Sequence, residues 1–551
     1  MPEPQRTRAF DRAEHKFDLM QDLGSELLLV CSSVSPAALP GLDRIAEDLF
    51  ELGERAQARQ LRVGYEALAW GKHIYDYRDA WEAVRRADHP AIGTIIDSFH
   101  VLSRGHDLAA LSNIPAEKIF YIHLADAPRL DMGILPWSRH YRCFPGQGRL
   151  PLQDFMAALA TTNYQGPLSL EIFNDQFRAA SAHQVAVDAK RSLLYVDRDL
   201  KRPPLKDLPE DLPKDLPKDL YQGIEFIEFA IAEDEVGAFE ALLGALGFYL
   251  WGRHRSKQLR VWRQGDIKLV VNSEIEGFAH SYHALLGSSV AALAFRVSDL
   301  EPALERSSYY RCKLLPTDSL QSFALPALQG IEGNESALVY LLDARADLWN
   351  TEFDLLAPPL APKRAQLQRI DHLAQVTALT HHASWLLFYR SVFGLCAEEK
   401  LDILDPSGLI ESQVLESEDR AIRIVLNGSQ SASTIAGRFL AEGSSGGVQH
   451  IAFACEDLLA YLEAAPDLTT LPIPANYYDD LEARFALEPS LLARLKRLNV
   501  LYDESEEGFF LQAYSYSFAK RFFFELVERH SYDAFGASNA PIRIAAQQRQ
   551  V

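Results

Sequence analysis

The run RPPLKDLPEDLPKDLPKDLY, residues 202–221, limits what this chain can fold into more than any other part of it. Proline recurs there at every fourth position, fixing φ and removing a backbone donor each time. Neither a helix nor an interior strand can pass through such a run, which reads as an extended spacer of roughly 3 Å per residue. A chain of 551 residues is also too long for one ordinary core, and length alone suggests roughly three or four domain-sized units. At least two independent halves are therefore expected, one on each side of the spacer.

Before the spacer, short apolar runs alternate with amphipathic stretches. ELLLVCSSV (26–34), LRVGYEAL (61–68), AIGTIIDSF (91–99), KIFYIHLADA (118–127) and GPLSLEIF (166–173) read as buried strands. GLDRIAEDLFELGERAQAR and DYRDAWEAVRRA between them carry helical periodicity. This is the rhythm of a parallel α/β sheet or barrel, here opening on a helix with five strands to follow. After the spacer a different unit repeats four times, a strand and a helix followed by more strands. The copies start at GIEFIEFAIAEDEV, VAALAFRVSDLEP, IDHLAQVTALTHH and VQHIAFACEDLL. Repeats of about 65–80 residues indicate tandem βαβββ modules. Aligning the starts brings Phe226, Ala292, His372 and His450 to one position, so only the last two copies carry an imidazole.

Composition narrows the partners. A formal charge of −21 with no Lys/Arg-rich run opposes binding to a phosphate backbone, which leaves a small-molecule substrate as the expected ligand. Five cysteines without CxxC spacing argue against a disulfide framework or zinc ribbon and fit a reducing cytoplasm. No apolar stretch of about 18 residues is present, so neither a signal peptide nor a membrane span is expected.

Candidate chemistry lies in both halves. In a (β/α) barrel the C-terminal strand ends ring the active site, and four successive strands here carry Glu66, Asp97, His123 and Glu171 at that end. Together they could hold a divalent cation such as Mg, Mn or Co; taken singly, each could equally cap a helix or pair with a basic residue. In the second half, His372 and His450 occupy matched places on strands whose alternate side chains share a face. Glu525, set in the aromatic run FFFELVERH, is costly to bury unless something cationic meets it. Two imidazoles and one carboxylate form the facial set that suits Fe(II). The alternative is three separately satisfied core polar residues.

With these residues in view, positions from about 222 to 551 resemble 4-hydroxyphenylpyruvate dioxygenase, of the vicinal oxygen chelate superfamily. IDHLAQV, GGVQHIAFACEDL, PIPANYYDDL, GFFLQAY and FFFELVERHSYDAFGASNAP carry the likeness. It implies His372, His450 and Glu525 as metal ligands and Gln512 in the substrate pocket. The chain ends in SNAPIRIAAQQRQV, where the dioxygenases place aromatics in a closing helix. Residues 1–200 resemble the sugar phosphate isomerase/epimerase barrels of the xylose-isomerase-like superfamily, through LLLVCSSVS, VGYEALAWGKHIYDYRDAW, IIDSFHVLSRG, LADAPRLDMGILPWSRHYRCFPGQG and LSLEIFND. The fusion as a whole resembles the bacterial two-domain 3-dehydroshikimate dehydratases.

That resemblance implies an incomplete TIM-type barrel over 1–201, a linker over 202–221, a dioxygenase-like half without metal ligands over 222–360 and one with a metal site over 361–551. It implies a metal on Glu66, Asp97, His123 and Glu171, and elimination of water from 3-dehydroshikimate to give protocatechuate. The proton beside the ketone needs a base, for which His100 is the first candidate and His73 the second. Arg142 is a candidate clamp for the substrate carboxylate. Because such barrels have eight strands, roughly 70 residues carrying the first three are expected to be missing, which leaves two open sheet edges and weakens turnover. Two alternatives stay open for the second half: an Fe(II)-dependent oxygenase acting on an α-keto acid, and a non-catalytic binding or dimerising module, through which the chain could form a homo-oligomer.

Overall fold

The fold is described from a computed structural model, over residues 1–197, 219–315, 328–333, 337–357, 367–443 and 446–549. The proline run lies outside these residues except for its last three positions. The chain divides into two compact units, Met1–Glu210 and Asp211–Val551. Among the described residues no helix is long and apolar enough to cross a membrane.

In the first unit, a helix over Gln5–Leu23 precedes strands β1 (Leu27–Cys31), β2 (Arg62–Glu66), β3 (Ile92–Asp97), β4 (Ile119–Leu124) and β5 (Leu168–Leu170). All four pairings are parallel and the strands lie in chain order. Leu42–Gln57 and Tyr77–Ala87 are helices, as their apolar spacing predicts, and bury Leu49, Leu52, Ala83 and Val84 in one core with Val63 and Ile92. Asp76 caps the second of these through the Arg78 amide. Every side chain of β3 is buried, as a strand covered on both faces requires.

The second unit contains two nine-stranded sheets. The first consists of β6 (Tyr221–Ala230), β7 (Tyr249–His254), β8 (Leu259–Gln264), β9 (Ile267–Asn272), β10 (Ser289–Val297), β11 (Leu314–Leu315), β12 (Leu328–Glu332), β13 (Leu338–Asp343) and β14 (Phe353–Leu355). The second consists of β15 (Leu367–Val376), β16 (Cys396–Ala397), β17 (Leu401–Asp405), β18 (Gly408–Glu416), β19 (Arg423–Gly428), β20 (Gly447–Cys455), β21 (Leu501–Glu504), β22 (Phe509–Tyr514) and β23 (Phe523–His530). Each sheet is centred on an antiparallel pair formed by the first strands of two repeats, β6 with β10 and β15 with β20. Aromatic packing joins the sheets, with the Phe229 and Phe522 rings 5.1 Å apart.

Strand registers make the repeat exact enough to compare position by position. His372 lies opposite Ala452, which lies beside Glu525; Phe226 lies opposite Ala294, which lies beside Tyr340. Phe226, Ala292 and Tyr340 thus stand where the second sheet has His372, His450 and Glu525. The first sheet fills that place with a dry core, Phe226 packing 5.6 Å from the Trp349 ring and 6.2 Å from Tyr340.

Beside this plug lies Glu228, wholly buried, with one carboxylate oxygen taking a 2.6 Å hydrogen bond from Asn272 and the other without a partner. Burial raises its pKa to about 7, against the pull of Asn272 and Lys257. A carboxyl whose pKa is raised by folding stabilises the fold fully below its unfolded value and loses that contribution as pH rises through its folded value. Replacing Glu228 with Gln is therefore expected to stabilise the second unit by about 3 kcal/mol at pH 8 and by almost nothing below pH about 4, measured by urea unfolding at both pH values.

Candidate metal centres

The parallel sheet of the first unit delivers its polar strand ends to one place. Glu66 ends β2, Asp97 ends β3 and His123 is the penultimate residue of β4. Their ligand atoms lie within 4.8 Å of one another, and all three residues are buried. His123 Nδ1 is 3.0 Å from Glu66 Oε1 and 3.8 Å from Glu171 Oε1. Glu171 follows β5 directly and its own amide bonds the Leu124 carbonyl, which ties it to the end of β4. Asp97 spends Oδ1 on the amides of Phe99 and His100, capping the short helix Ser98–Leu102, and so presents Oδ2 to the cluster.

Arg142 is the countercharge. It is 1 % exposed, and Nη1 donates to Asp97 Oδ2 and Glu171 Oε2 at 2.8 Å each, while Nε and Nη2 donate to Ser138. The sequence marks this residue as a clamp for a substrate carboxylate; the structure instead engages it with two carboxylates of the chain, because β5 ends beside β4 and brings Glu171 onto it. His100 is buried, with Nε2 3.9 Å from Asp97 Oδ2 and 3.5 Å from Arg142 Nη2, and with its ring against Trp70. His73 is placed apart: its Nε2 meets the Ala38 carbonyl at 2.9 Å and it lines a separate cavity with Phe10, Leu28 and Tyr65.

The electrostatics follow from this packing. Burial favours the neutral form of Asp97, yet the Arg142 guanidinium and His100 outweigh it and hold its pKa well below the usual carboxylate range. Glu171 is pushed up to about 7 by burial and by the charge on Asp97. Burial opposes a charge on His123, but Glu66 and Glu171 hold its pKa above the ordinary value. Burial lowers His100, and Arg142 adds to that, so its imidazole is neutral at neutral pH. Glu66, Asp97 and Glu171 outnumber the two basic groups that meet them, Arg142 and His123, and oxygen donors with one imidazole suit a hard or borderline divalent cation.

The second sheet makes the other centre. Glu525 Oε2 lies 3.4 Å from His372 Nε2 and 3.3 Å from His450 Nε2, with all three side chains buried. Gln512 and Tyr514 donate to the other oxygen, Oε1, at 2.8 and 3.1 Å, so the carboxylate can turn only one atom toward the imidazoles. Gln512 itself is held by Asn539, and Gly536, at φ 59, lets the loop above come so close that a Cβ there would lie 2.4 Å from the Gln512 carbonyl oxygen. The ring of His450 stacks on Phe523 and its Nδ1 has no partner. Burial and the two imidazoles pull Glu525 in opposite directions, and the imidazoles prevail, holding it well below the usual range. Burial drives His450 down to about 4. Two buried Nε2 atoms and one carboxylate oxygen that turn toward each other fit a divalent metal better than they fit one another.

Asp371 completes this centre and escapes a reading by alternation, which sends it to the face opposite His372. A register shift in β15 between Ile370 and His372 breaks the alternation. Asp371 then accepts from His372 Nδ1 at 2.9 Å while Arg529 grips both of its oxygens and Arg423 adds a longer contact. The signal available in the sequence was an acid directly beside the histidine in IDHL.

The fold and these sites define a two-domain protein with a candidate divalent-metal centre in each domain. The model of xylose isomerase-like TIM barrels matches residues 1–195, and that of the N-terminal hydroxyphenylpyruvate dioxygenase domain matches residues 217–354. The chain is 42 % identical to a 3-dehydroshikimate dehydratase of Pseudomonas putida over 97 % of its own length and 86 % of that protein's. It is 41 % identical to one of Pseudomonas aeruginosa, over 98 % and 86 %. A solved fusion of a xylose isomerase-like TIM barrel with 4-hydroxyphenylpyruvate dioxygenase superposes with a TM-score of 0.89 at 39 % identity, covering all of this chain and 89 % of that one. The chain belongs to the family of two-domain 3-dehydroshikimate dehydratases.

Replacing Asp371 with Ala is expected to weaken metal uptake at His372, His450 and Glu525 by roughly 10- to 100-fold, and Asn at the same place by less because its carbonyl still accepts from Nδ1. Metal titration followed by calorimetry measures the difference.

Proposed function

We propose that this chain converts 3-dehydroshikimate into protocatechuate and water, with the barrel as the catalytic domain. The convergence of Glu66, Asp97, His123 and Glu171 at one end of the parallel sheet carries the reading, and the identity to two 3-dehydroshikimate dehydratases over nearly the whole chain supports it. The enzyme is accordingly a lyase with a small-molecule substrate.

The substrate is a cyclic keto acid whose conversion needs a proton removed beside the ketone and a hydroxyl expelled from the neighbouring carbon. Glu66, Asp97, His123 and Glu171 would hold a divalent cation, of which Mg, Mn and Co suit the donor set, and such an ion would supply positive charge to a developing enolate oxygen. His100 is the base: Nε2 faces the cluster, and a neutral imidazole is ready to accept a proton. Asp97, locked as the cap of the helix that carries His100, fixes the distance between the base and the cluster. Arg142 holds Asp97 and Glu171 in register rather than reaching freely for substrate. Burial of the group at the sheet end keeps water from screening these charges.

In the second domain, His372, His450 and Glu525 would hold a second divalent metal, for which the two-imidazole, one-carboxylate set favours Fe(II).

Single replacement of Glu66, Asp97, His123 or Glu171 by Ala is expected to lower protocatechuate formation roughly 100-fold or more and to remove one metal equivalent. His100→Gln is expected to lower turnover by about 10²–10⁴-fold with metal content unchanged. The assay is the absorbance of protocatechuate on adding 3-dehydroshikimate with Mg or Co, alongside metal analysis. Full turnover by all four ligand variants overturns the assignment of the barrel site.

A further inference from the structure

The helix Ala540–Gln548 closes the C-terminal centre, and its side chains at i, i+3 and i+4, which are Ala540, Arg543 and Ile544, line the cavity over His372, His450 and Glu525. None is aromatic. Arg543 is 8 % exposed, and its Nη1 donates to Gln547 Oε1 at 2.7 Å, one turn along the same helix. Its guanidinium sits 5.4 Å from the Phe523 ring, the ring on which His450 stacks, and 5.6 Å from that of Tyr514. Among the described residues no carboxylate pairs with it. A guanidinium buried without a countercharge is costly, and the cost is relieved when an anion enters beside it.

The other ionisable groups on the cavity wall besides the proposed ligands are buried Tyr514, whose hydroxyl donates to Glu525, and exposed Glu398, which feels Glu416, Arg423 and Arg420. The cavity measures about 120 Å³, well under the roughly 300–1,000 Å³ of ordinary ligand pockets. Its walls away from the proposed metal donors mix aliphatic side chains, Ile403, Ile410 and Val414 among them, with Phe535 and Tyr514. Such a space suits a few heavy atoms and one negative charge.

Building on the metal reading of this centre, we propose that the C-terminal cavity binds a compact aliphatic carboxylate, with Arg543 as its counter-ion, and rejects a ligand of the same head group that carries an aromatic ring. Arg543 is a binding residue here and sets the class of ligand by charge, while the small volume of the cavity, closed by Ala540 and Ile544, sets it by size.

The test uses the full chain with Glu66→Ala and Asp97→Ala, so that the barrel no longer competes for metal, loaded with Co(II). Pyruvate and 4-hydroxyphenylpyruvate share the α-keto acid head and differ in the ring, and each is titrated by calorimetry and by the visible absorption of bound Co(II). Pyruvate is expected to bind more tightly than 4-hydroxyphenylpyruvate, and Arg543→Gln to weaken pyruvate roughly tenfold or more, with Arg543→Lys between. Equal pyruvate affinity in Arg543→Gln, or tighter binding of the aromatic acid, overturns the proposal. Failure of Co(II) to bind, with His372→Ala making no difference, instead overturns the metal reading; calorimetry with pyruvate alone then decides on Arg543 by the same comparison.

Discussion

Negative charge gathered at one edge of a parallel sheet is the constraint around which the first domain is organised. Glu66, Asp97 and Glu171 cannot share a buried site without cations, since like charges a few ångströms apart in a poor dielectric repel strongly. Arg142 and His123 meet part of that demand from within the chain, and a divalent ion is the natural remainder. The helix cap at Asp97 matters for the same reason: tying down Oδ1 leaves a single oxygen to face the cluster.

The second domain solves a comparable problem with less charge. Its centre has one carboxylate, and the supporting shell does the positioning: Gln512 and Tyr514 hold one oxygen of Glu525, and Asp371, gripped by Arg529, holds the far nitrogen of His372. Ligand direction here is a property of neighbouring side chains more than of the strands that carry the ligands. That shell also explains why Gln512, expected in the substrate pocket, touches Glu525 as well as lining the cavity.

Residues whose place follows from strand periodicity were readable from the sequence. Glu66, Asp97 and His123 come together because strands in parallel register bring their ends to one edge, and the four repeat starts align because βαβββ modules share one pattern. Roles that depend on an irregularity or on loop direction were not. Asp371 needed the bulge in β15, and Arg142 needed the placement of Glu171 after β5. His73 and His100 look alike as loop histidines after successive strands, yet one turns to a loop carbonyl and the other to the cluster. Tyr340 could be recognised as the counterpart of Glu525 only once the β10–β13 and β20–β23 registers were known.

Filling the first sheet with Phe226, Ala292 and Tyr340 has a consequence. Exchanging Phe226 and Tyr340 for His and Glu would loosen the packing against Trp349, and exchanging Ala292 for His would overfill the core, while each strands a polar group there, so each exchange alone is penalised before any benefit appears. A cluster of that kind in the first sheet is therefore opposed at every single exchange. One sheet thus keeps the interior of a packed core at the place where its counterpart carries a buried polar trio.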